Sequence, residues 1–346
     1  MQVENSDGHQ GERKVIEINS FPGIAIGHAQ HPEVATGTTV VLLEKPCTTA
    51  FEARGGWPGT YDASSVDPGR AFYKKEVIFL TGGDVYGFDA ATGIRRYLVE
   101  KGRVRAGFGE TPGIVGTNIY DLEVAKGFEN VSYEQLGYLA CLNAKNGAPE
   151  MGSVGAGVGA TVGKLRGMRY CFKGGFGFYA FKLGSALFCA AVVTNALGNI
   201  VDPESGKVIA GTRRSADPKD GFVELREIAA EYLERRGESG VSSAFRSTTI
   251  GVVVTNVSLS HEAMYKVAQM AHDGLARVIR PVHMMADGDT IFAVSTSQLE
   301  LSSEHYSLVD VVGEMCAEAV ERAVIRAVKS AKSVAGIPAL SESAYQ

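Results

Sequence analysis

The chain has 346 residues, of which 45% are hydrophobic and 21% charged, which is the composition of an ordinary globular protein. Its formal net charge is −5 and no basic run stands out, so nucleic acid is not expected as a partner. No apolar stretch reaches the length of a membrane-spanning helix, so no association with a membrane is expected.

Residues 1–14 are polar and lack the apolar core of a signal peptide, which predicts a flexible tail followed by a single domain over 15–346. Runs rich in Val, Ile, Phe and Thr predict strands over 38–44, 76–82, 186–194, 249–256 and 290–296. Apolar residues at helical spacing predict helices over 222–236, 260–280 and 307–331, with another beginning within 88–102. Residues 199–211 have the pattern of a hairpin tip. Because the helices cluster instead of alternating with every strand, the pattern favours an α/β protein of packed sheets with helical covers.

The cysteines are odd in number, scattered and without a CxxC pair: Cys47, Cys141, Cys171, Cys189 and Cys316. Such spacing supports neither a disulfide framework nor a zinc site. A reducing compartment is therefore expected, and the cytoplasm is the expected location.

The Gly-rich run over 152–167 suggests a phosphate-binding loop at first sight. The P-loop pattern requires a Gly and a Ser or Thr where this chain has Val158 and Leu165. A loose G-x-G-x-x-A pattern is present, but the residues before it form a poor strand, so a nucleotide site is not favoured. Backbone packed too closely to carry side chains is the better interpretation, and Lys164 at its end is expected to be held in place and partly buried.

Three polar residues at strand ends allow both structural and chemical interpretations. Asp287 and Asp289 flank a turn before a strand, where they could bond to local backbone, hold an ammonium group, or bind a metal with His272 and His283. No spacing fixes a metal site. Asn195 follows an apolar run and is either an ordinary turn residue or an amide that donates to a developing oxyanion.

Thr248 lies in the segment 246-RSTTIGVVVTN-256, directly before a run of strand-forming residues. The G-x-S-x-G pattern of a serine hydrolase is absent. Another chemistry needs only one residue, because a chain cut before Thr248 places an α-amine beside the hydroxyl. Such an amine has a pKa of about 7.7–8.0 and can act as the base for its own hydroxyl.

Taken together, these segments resemble the DmpA-type family of N-terminal nucleophile hydrolases, peptidase family S58, and most closely its nylon-oligomer hydrolase branch. The segments that carry the resemblance are 53-ARGG-56, 81-TGGDVYGFDAATG-93, 118-NIYDL-122, 155-GAGVGATVGK-164, 190-AAVVTNALGNIVD-202, 247-STTIGVVVTNV-257 and 287-DGDTIFAVST-296. The resemblance implies a single-domain, four-layered α/β/β/α sandwich made from an autocleaved precursor. The implied cut lies between Ser247 and Thr248, and gives an α part over 15–247 with its tail and a β part over 248–346.

The resemblance also implies the site residues. Thr248 would be the nucleophile and its freed amine the base, and Asn195 the oxyanion donor. Lys164 and Tyr120 match family residues beside the nucleophile, and Asp287 and Asp289 match two acids near the new N-terminus. Close relatives often carry Asn or Gly before the nucleophile, but Ser247 is small and should not block the attack on its carbonyl.

The expected function is therefore an autoprocessed N-terminal-threonine amidohydrolase or aminopeptidase for small peptides or non-standard amide oligomers. It would need no cofactor or metal and form a homo-oligomer, a tetramer or larger. One alternative is an ornithine-type N-acyltransferase, although those enzymes typically show Ala-Thr-Met-Leu at the cut, where this chain has Ser-Thr-Thr-Ile. A second is an unprocessed binding scaffold without catalysis, which the presence of the whole set of site residues disfavours. Exo- versus endo-cleavage and α, β, L or D preference remain open.

Overall fold

The computed structural model describes residues 15–104, 111–216, 220–234, 246–301 and 306–343, so the predicted tail over 1–14 lies outside the described residues. The helices are α1 (Ala90–Glu100), α2 (Tyr133–Leu142), α3 (Leu225–Glu234), α4 (His261–Val278) and α5 (Tyr306–Ser330). The strands are β1 (Ile16–Glu17), β2 (Ile24–Gln30), β3 (Gly37–Ala53), β4 (Thr60–Tyr61), β5 (Lys74–Thr81), β6 (Ile114–Asn118), β7 (Thr161–Val162), β8 (Phe172–Lys173), β9 (Gly175–Leu183), β10 (Ala186–Asn195), β11 (Asn199–Val201), β12 (Val208–Ala210), β13 (Thr248–Val257), β14 (Ile279–Arg280) and β15 (Thr290–Leu299).

One strand, β3, connects the two halves of a ten-stranded sheet, whose order is β1-β9-β10-β13-β15-β3-β5-β6-β4 with β2 also paired to β3. The first part of β3 pairs with β2 and β5, and its last residues pair with β15. The prediction of a strand over 38–44 was too short, because β3 continues to Ala53. The exposed residues Glu44, Lys45 and Pro46 interrupt the apolar pattern, although they remain part of the strand.

Three apolar cores separate four layers. One core lies between the two halves of the sheet and joins residues such as Val41 and Ile78 to Val252 and Phe292. A second lies between α4, α5 and the outer face of β9, β10, β13 and β15. The third lies under α1 and α2, against β3 and β5. The four-layered α/β/β/α architecture is therefore confirmed, and since each sheet half is covered on both faces, its strands are nearly continuous in apolar residues.

The helix predictions hold to within a few residues. The Ser260 hydroxyl accepts a hydrogen bond from the Ala263 N–H at 3.2 Å and caps α4, as its residue type suggests. The helix predicted over 222–236 begins later, at Leu225, because the Val223 N–H donates to Thr212 O at 2.8 Å instead of lying within the helix. Residues 235 and 236 lie outside the described residues. The segments of α2 and β9 were not predicted.

Within the described ranges, no helix has the length and apolar character to cross a membrane.

The middle of the sheet determines where polar groups meet. Strand β13 lies between antiparallel β10 and parallel β15. The start of β13, the end of β10 and the loop before β15 therefore lie at one edge of the sheet. Thr248 is the first residue of β13, Asn195 the last of β10, and Asp289 the residue directly before β15.

Candidate active site

The peptide bond between Ser247 and Thr248 is buried and held from several sides, since the two residues are 1% and 5% exposed. The carbonyl oxygen of Ser247 accepts a hydrogen bond from the Gly288 N–H at 2.8 Å and another from the Thr248 hydroxyl at 2.5 Å. The Ser247 N–H donates to Ala286 O at 3.0 Å. The loop before β15 therefore runs along this peptide as an added parallel segment and fixes its orientation.

Asn195 lies directly opposite Thr248 in the register of β10 and β13. Its Oδ1 accepts from the Thr161 N–H and from Lys164 Nζ, both at 2.9 Å. Its Nδ2 donates to Tyr120 O at 3.0 Å. An amide nitrogen carries two hydrogens, so one remains for a further acceptor. The side chain is thus held in place by bonds to both of its polar atoms, with one Nδ2 hydrogen left over.

Lys164 is fully buried, at 2% exposure, and not partly buried as predicted. Its Nζ donates to both oxygens of Asn195, to O at 3.0 Å and to Oδ1 at 2.9 Å. Burial lowers the pKa of this ammonium to about 8, against opposing effects of nearby Cys171 and Asp287. Near neutral pH the group therefore keeps its positive charge, which polarises the Asn195 amide.

Asp289 holds the start of the strand that carries the nucleophile candidate. Its Oδ1 accepts from the Thr249 N–H at 2.7 Å. Its Oδ2 accepts from the His283 N–H at 3.1 Å and contacts His283 Nδ1 at 2.8 Å. The carboxylate is 1% exposed, so these bonds replace the water that it would otherwise bind.

Asp287 has a different environment in the same loop. Its Oδ2 accepts from the Met284 N–H at 3.0 Å, whereas Oδ1 has no hydrogen-bond partner of normal geometry in the described part of the chain. Burial, and then the nearby charge of Asp289, raises the pKa of Asp287 to about 7. Asp287 therefore keeps its proton to higher pH than an exposed carboxyl group does, and carboxyl groups perturbed in this way are common at catalytic sites.

The metal interpretation of Asp287 and Asp289 gains no support from their surroundings. His283 is engaged with Asp289, and His272 Nε2 contacts Glu52 O at 2.9 Å. Over the described residues, no group of three or more His, Cys, Asp or Glu side chains is arranged to hold a metal ion. The aspartates instead organise backbone around Thr248.

Tyr120 contacts Asn195 through its backbone carbonyl. Its ring is half-buried and lies 5.4 Å from the guanidinium of Arg246. Burial raises the pKa of the Tyr120 hydroxyl, which therefore stays protonated and able to donate at neutral pH. The structure thus places Tyr120 beside Asn195 through its backbone and beside Arg246 through its ring.

Gly288 is the residue that sequence reasoning missed. A Cβ on it would lie 2.8 Å from Thr248 Oγ1 and 2.6 Å from Trp57 O, so only glycine allows this close approach. The available signal was its place between two acids in Asp-Gly-Asp. That motif was interpreted through its carboxylates and not through the N–H between them.

The Gly-rich run over 152–167 packs as predicted. A Cβ at Gly157 would lie 2.3 Å from the backbone nitrogen of Phe176, and a Cβ at Gly163 would lie 2.1 Å from the carbonyl carbon of Gly211. Backbone thus packs on backbone at both positions, and this contact positions the segment that leads into the buried lysine.

The family model described as peptidase family S58 matches residues 17–340. The chain belongs to peptidase family S58. A relative called an uncharacterized aminopeptidase, from Mycobacterium leprae, is 36% identical over 93% of this chain and 92% of its own length. A 6-aminohexanoate-oligomer endohydrolase of an Agromyces species is 32% identical over 81% of this chain and 75% of its own. The S58 resemblance is thus confirmed, and the protein is a hydrolase of amide or peptide bonds.

Solved structures agree on the fold. A β-aminopeptidase of a Burkholderia species superposes with a TM-score of 0.66 at 20% identity, covering 95% of this chain and 93% of its own. An L-aminopeptidase D-Ala-esterase/amidase from Ochrobactrum anthropi has a TM-score of 0.65 at 17% identity, covering 90% and 86%. The latter is described as a variant of the Ntn-hydrolase fold, so this member of S58 has the same architecture.

Proposed function

We propose that this S58 hydrolase cuts its own chain between Ser247 and Thr248 and then uses Thr248 as an N-terminal nucleophile against amide bonds. The observation that carries the proposal is the pair of hydrogen bonds on the Ser247 carbonyl, at 2.5 Å from the Thr248 hydroxyl and 2.8 Å from the Gly288 N–H. The attacking oxygen and an oxyanion donor thus converge on one peptide bond.

Self-cleavage begins when Thr248 Oγ1 attacks the Ser247 carbonyl carbon and gives up its proton. The Gly288 N–H stabilises the negative charge that develops on the carbonyl oxygen. The C–N bond then breaks, the nitrogen of Thr248 takes the proton, and the Ser247 acyl group remains as an ester on Oγ1. Water hydrolyses this ester, which leaves a carboxylate on Ser247 and a free α-amine and hydroxyl on Thr248.

Substrate hydrolysis repeats the attack with an external amide. The α-amine of Thr248 takes the hydroxyl proton while Oγ1 bonds to the substrate carbonyl carbon. The remaining Nδ2 hydrogen of Asn195 donates to the oxyanion, and Lys164 holds that amide in place. The leaving amine takes the proton, and water then releases the acyl group from Oγ1.

Small peptides or non-standard amide oligomers are the proposed substrates. Relatives named as an aminopeptidase and as a 6-aminohexanoate-oligomer endohydrolase support this range. Family membership favours hydrolysis over the acyltransferase alternative. Release of an aryl amine, compared with acetyl transfer to ornithine, separates the two activities.

The decisive experiment is N-terminal sequencing and mass measurement of the short fragment of the purified protein. We expect a fragment that begins at Thr248, and a single full-length band without amidase activity from Thr248→Ala. Amidase activity in Thr248→Ala at the wild-type level would overturn the proposal. A wild-type protein that remains full length and inactive on aminoacyl-arylamides and amide oligomers would instead support the scaffold alternative.

The proposal extends to chain organisation and surroundings. The domain over 15–346 would consist of an α part ending at Ser247 and a β part beginning at Thr248, assembled into a tetramer or larger homo-oligomer. Large apolar side chains that are well exposed, such as Leu233 at 74% and Met285 at 82%, support association. Light scattering measures the oligomeric state.

The cysteines bear on the proposed location. All five are buried and free, which supports a reducing compartment such as the cytoplasm.

A further inference from the structure

The side chain of Arg246, the second residue before the proposed cut, lies in a cradle formed by Trp57, Tyr120 and Asp84. Its guanidinium lies 4.3 Å from the ring centroid of Trp57 and 5.4 Å from that of Tyr120. Arg246 also lies 3.7 Å from a carboxylate oxygen of Asp84. Two aromatic faces and one carboxylate are the groups that bind guanidinium and ammonium ions in proteins.

The cradle is built from backbone that belongs to the active site. The backbone N–H of Trp57 donates to Asp287 O at 2.8 Å, which ties the Trp57 backbone to the loop that holds the scissile peptide. The Asp84 N–H donates to Ile119 O at 3.1 Å, directly before Tyr120. Asp84 has a left-handed backbone with φ of 50°, a conformation that few residues adopt readily. These contacts, together with the bond from Asn195 Nδ2 to Tyr120 O, hold the backbone of all three residues in place without Arg246.

Self-cleavage and substrate hydrolysis both bond an acyl group to Thr248 Oγ1, so a substrate should follow the path that residues 246 and 247 take in the uncut chain. In the ester intermediate of self-cleavage, the acyl group on Thr248 Oγ1 is Ser247, and Arg246 precedes it. In substrate hydrolysis the acyl group is bonded to the same oxygen. After the cut, Arg246 belongs to a free chain end, and its side chain, 45% exposed, can be displaced from the cradle.

We propose that Trp57, Tyr120 and Asp84 form a subsite that binds a guanidinium or ammonium group on the residue preceding the acyl residue of a substrate. This inference rests on the proposed function and specifies its substrate class: amides with a cationic residue one position before the residue whose carbonyl is attacked. The uncut chain then carries a copy of that substrate, Arg246–Ser247, in its own active site.

The test compares two fluorogenic amides, N-acetyl-Arg-Ser-aminomethylcoumarin and its citrulline analogue, which has nearly the same shape without the charge. We expect the processed wild-type enzyme to favour the arginine compound in kcat/KM by about tenfold, in keeping with one partly desolvated cation–π contact and one ion pair. Asp84→Asn, which keeps a residue type tolerant of left-handed backbone, and Trp57→Ala should each lower this ratio to about threefold, because each removes only one of the contributing groups. Tyr86→Ala is the matched control, because Tyr86 is 50% exposed near Asp84 and its ring packs against Phe128 at a centroid distance of 5.1 Å.

A second measurement tests the subsite even if the enzyme cleaves only substrates longer than these dipeptide amides. The dipeptide acid N-acetyl-Arg-Ser should inhibit turnover of any amide that the enzyme cleaves about tenfold more strongly than the citrulline acid. Arg246→Ala, which removes the resident side chain, should strengthen that inhibition further.

The possible outcomes separate the subsite from the proposed function. A processed, active enzyme that neither cleaves nor is inhibited by the arginine compound better than its citrulline analogue would overturn the subsite and leave the proposed function intact. A protein that is neither cut at Thr248 nor active on any amide would overturn both.

Discussion

Thr248 and Asn195 face each other across antiparallel β13 and β10, and each is the terminal residue of its strand. The register of two strands in the middle of the sheet therefore determines the distance between the proposed nucleophile and the oxyanion donor. Groups whose positions are set by the strands before the reaction begins are the physical basis of electrostatic preorganisation.

Asn195→Ala removes the proposed oxyanion donor of substrate hydrolysis. We expect kcat for an aryl amide to fall by about 100- to 1000-fold, the usual effect of losing one such donor. Steady-state kinetics on processed protein measures this loss.

Asn256→Ala is the matched control for that variant. Asn256 is a buried asparagine too, but it lies in β13 at the end opposite Thr248. Its side chain accepts from the Leu187 N–H at 2.8 Å and donates to Ser185 O at 3.2 Å. It should lose about 1–3 kcal/mol of stability with kcat little changed. Equal kcat values for the two variants would remove Asn195 from the mechanism.

Lys164→Met tests the charge behind Asn195. Because the pKa of Lys164 is lowered to about 8, wild-type amidase activity should decline as the ammonium loses its proton above that pH. The methionine variant should have a lower kcat throughout and no such decline. A kcat profile between pH 6 and 10 measures both effects.

Lys173→Met separates this charge effect from a general loss of buried lysine. Lys173 is equally buried, but its Nζ donates to Val158 O and Ala160 O at 2.6 Å each and does not contact Asn195. This variant should keep the decline in activity near pH 8. If it loses the decline as Lys164→Met does, the decline does not come from Lys164.

Asp287→Asn should change how stability depends on pH. The pKa of Asp287 is raised from 3.8 to about 7, so the folded protein keeps a proton that the unfolded chain releases. Wild-type stability attributable to this group therefore falls as pH rises from about 4 to 7 and levels off above 7. Asparagine does not titrate, so the advantage of the variant should grow over that range to a few kcal/mol at most, at roughly 1.4 kcal/mol per pKa unit.

Urea unfolding in the Thr248→Ala background measures this effect without interference from self-cleavage. Asp310→Asn, at an exposed position of α5, is the control and should show no comparable trend. A stability difference between Asp287→Asn and its parent that stays constant from pH 4 to 8 would contradict the raised pKa.

Replacing Gly288 by glycolic acid during cell-free translation converts its N–H into an ester oxygen without adding a side chain. Self-cleavage should slow by about a hundredfold, because the Ser247 carbonyl loses its backbone donor. The same exchange at Gly56, whose N–H donates to Met284 O at 3.1 Å, removes a neighbouring hydrogen bond that does not reach Ser247. Gel analysis of the cut over time gives both rates, and equal slowing would assign the effect to the loop in general.

Family resemblance predicted the site residues better than the local pattern around each residue did. Asn195 was as consistent with an ordinary turn as with a catalytic amide, and Lys164 was expected to be only partly buried. Both ambiguities arise because hydrogen bonds between distant segments decide the role of a polar residue. Resemblance to a family brought these residues together before any distance was known, and the distances then showed that Lys164 bonds to both oxygens of Asn195.

The sequence by itself determined the apolar runs that form the sheet, the amphipathic helices that cover it, and the polar residues at the strand ends. These features follow from local periodicity and residue type, which every short segment carries within itself. Tertiary structure alone decided that β3 continues through its exposed residues into both halves of the sheet, and that the Gly288 N–H meets the Ser247 carbonyl. It also decided that Arg246 lies against Trp57 and Asp84, since such contacts depend on register and packing between segments far apart in the chain.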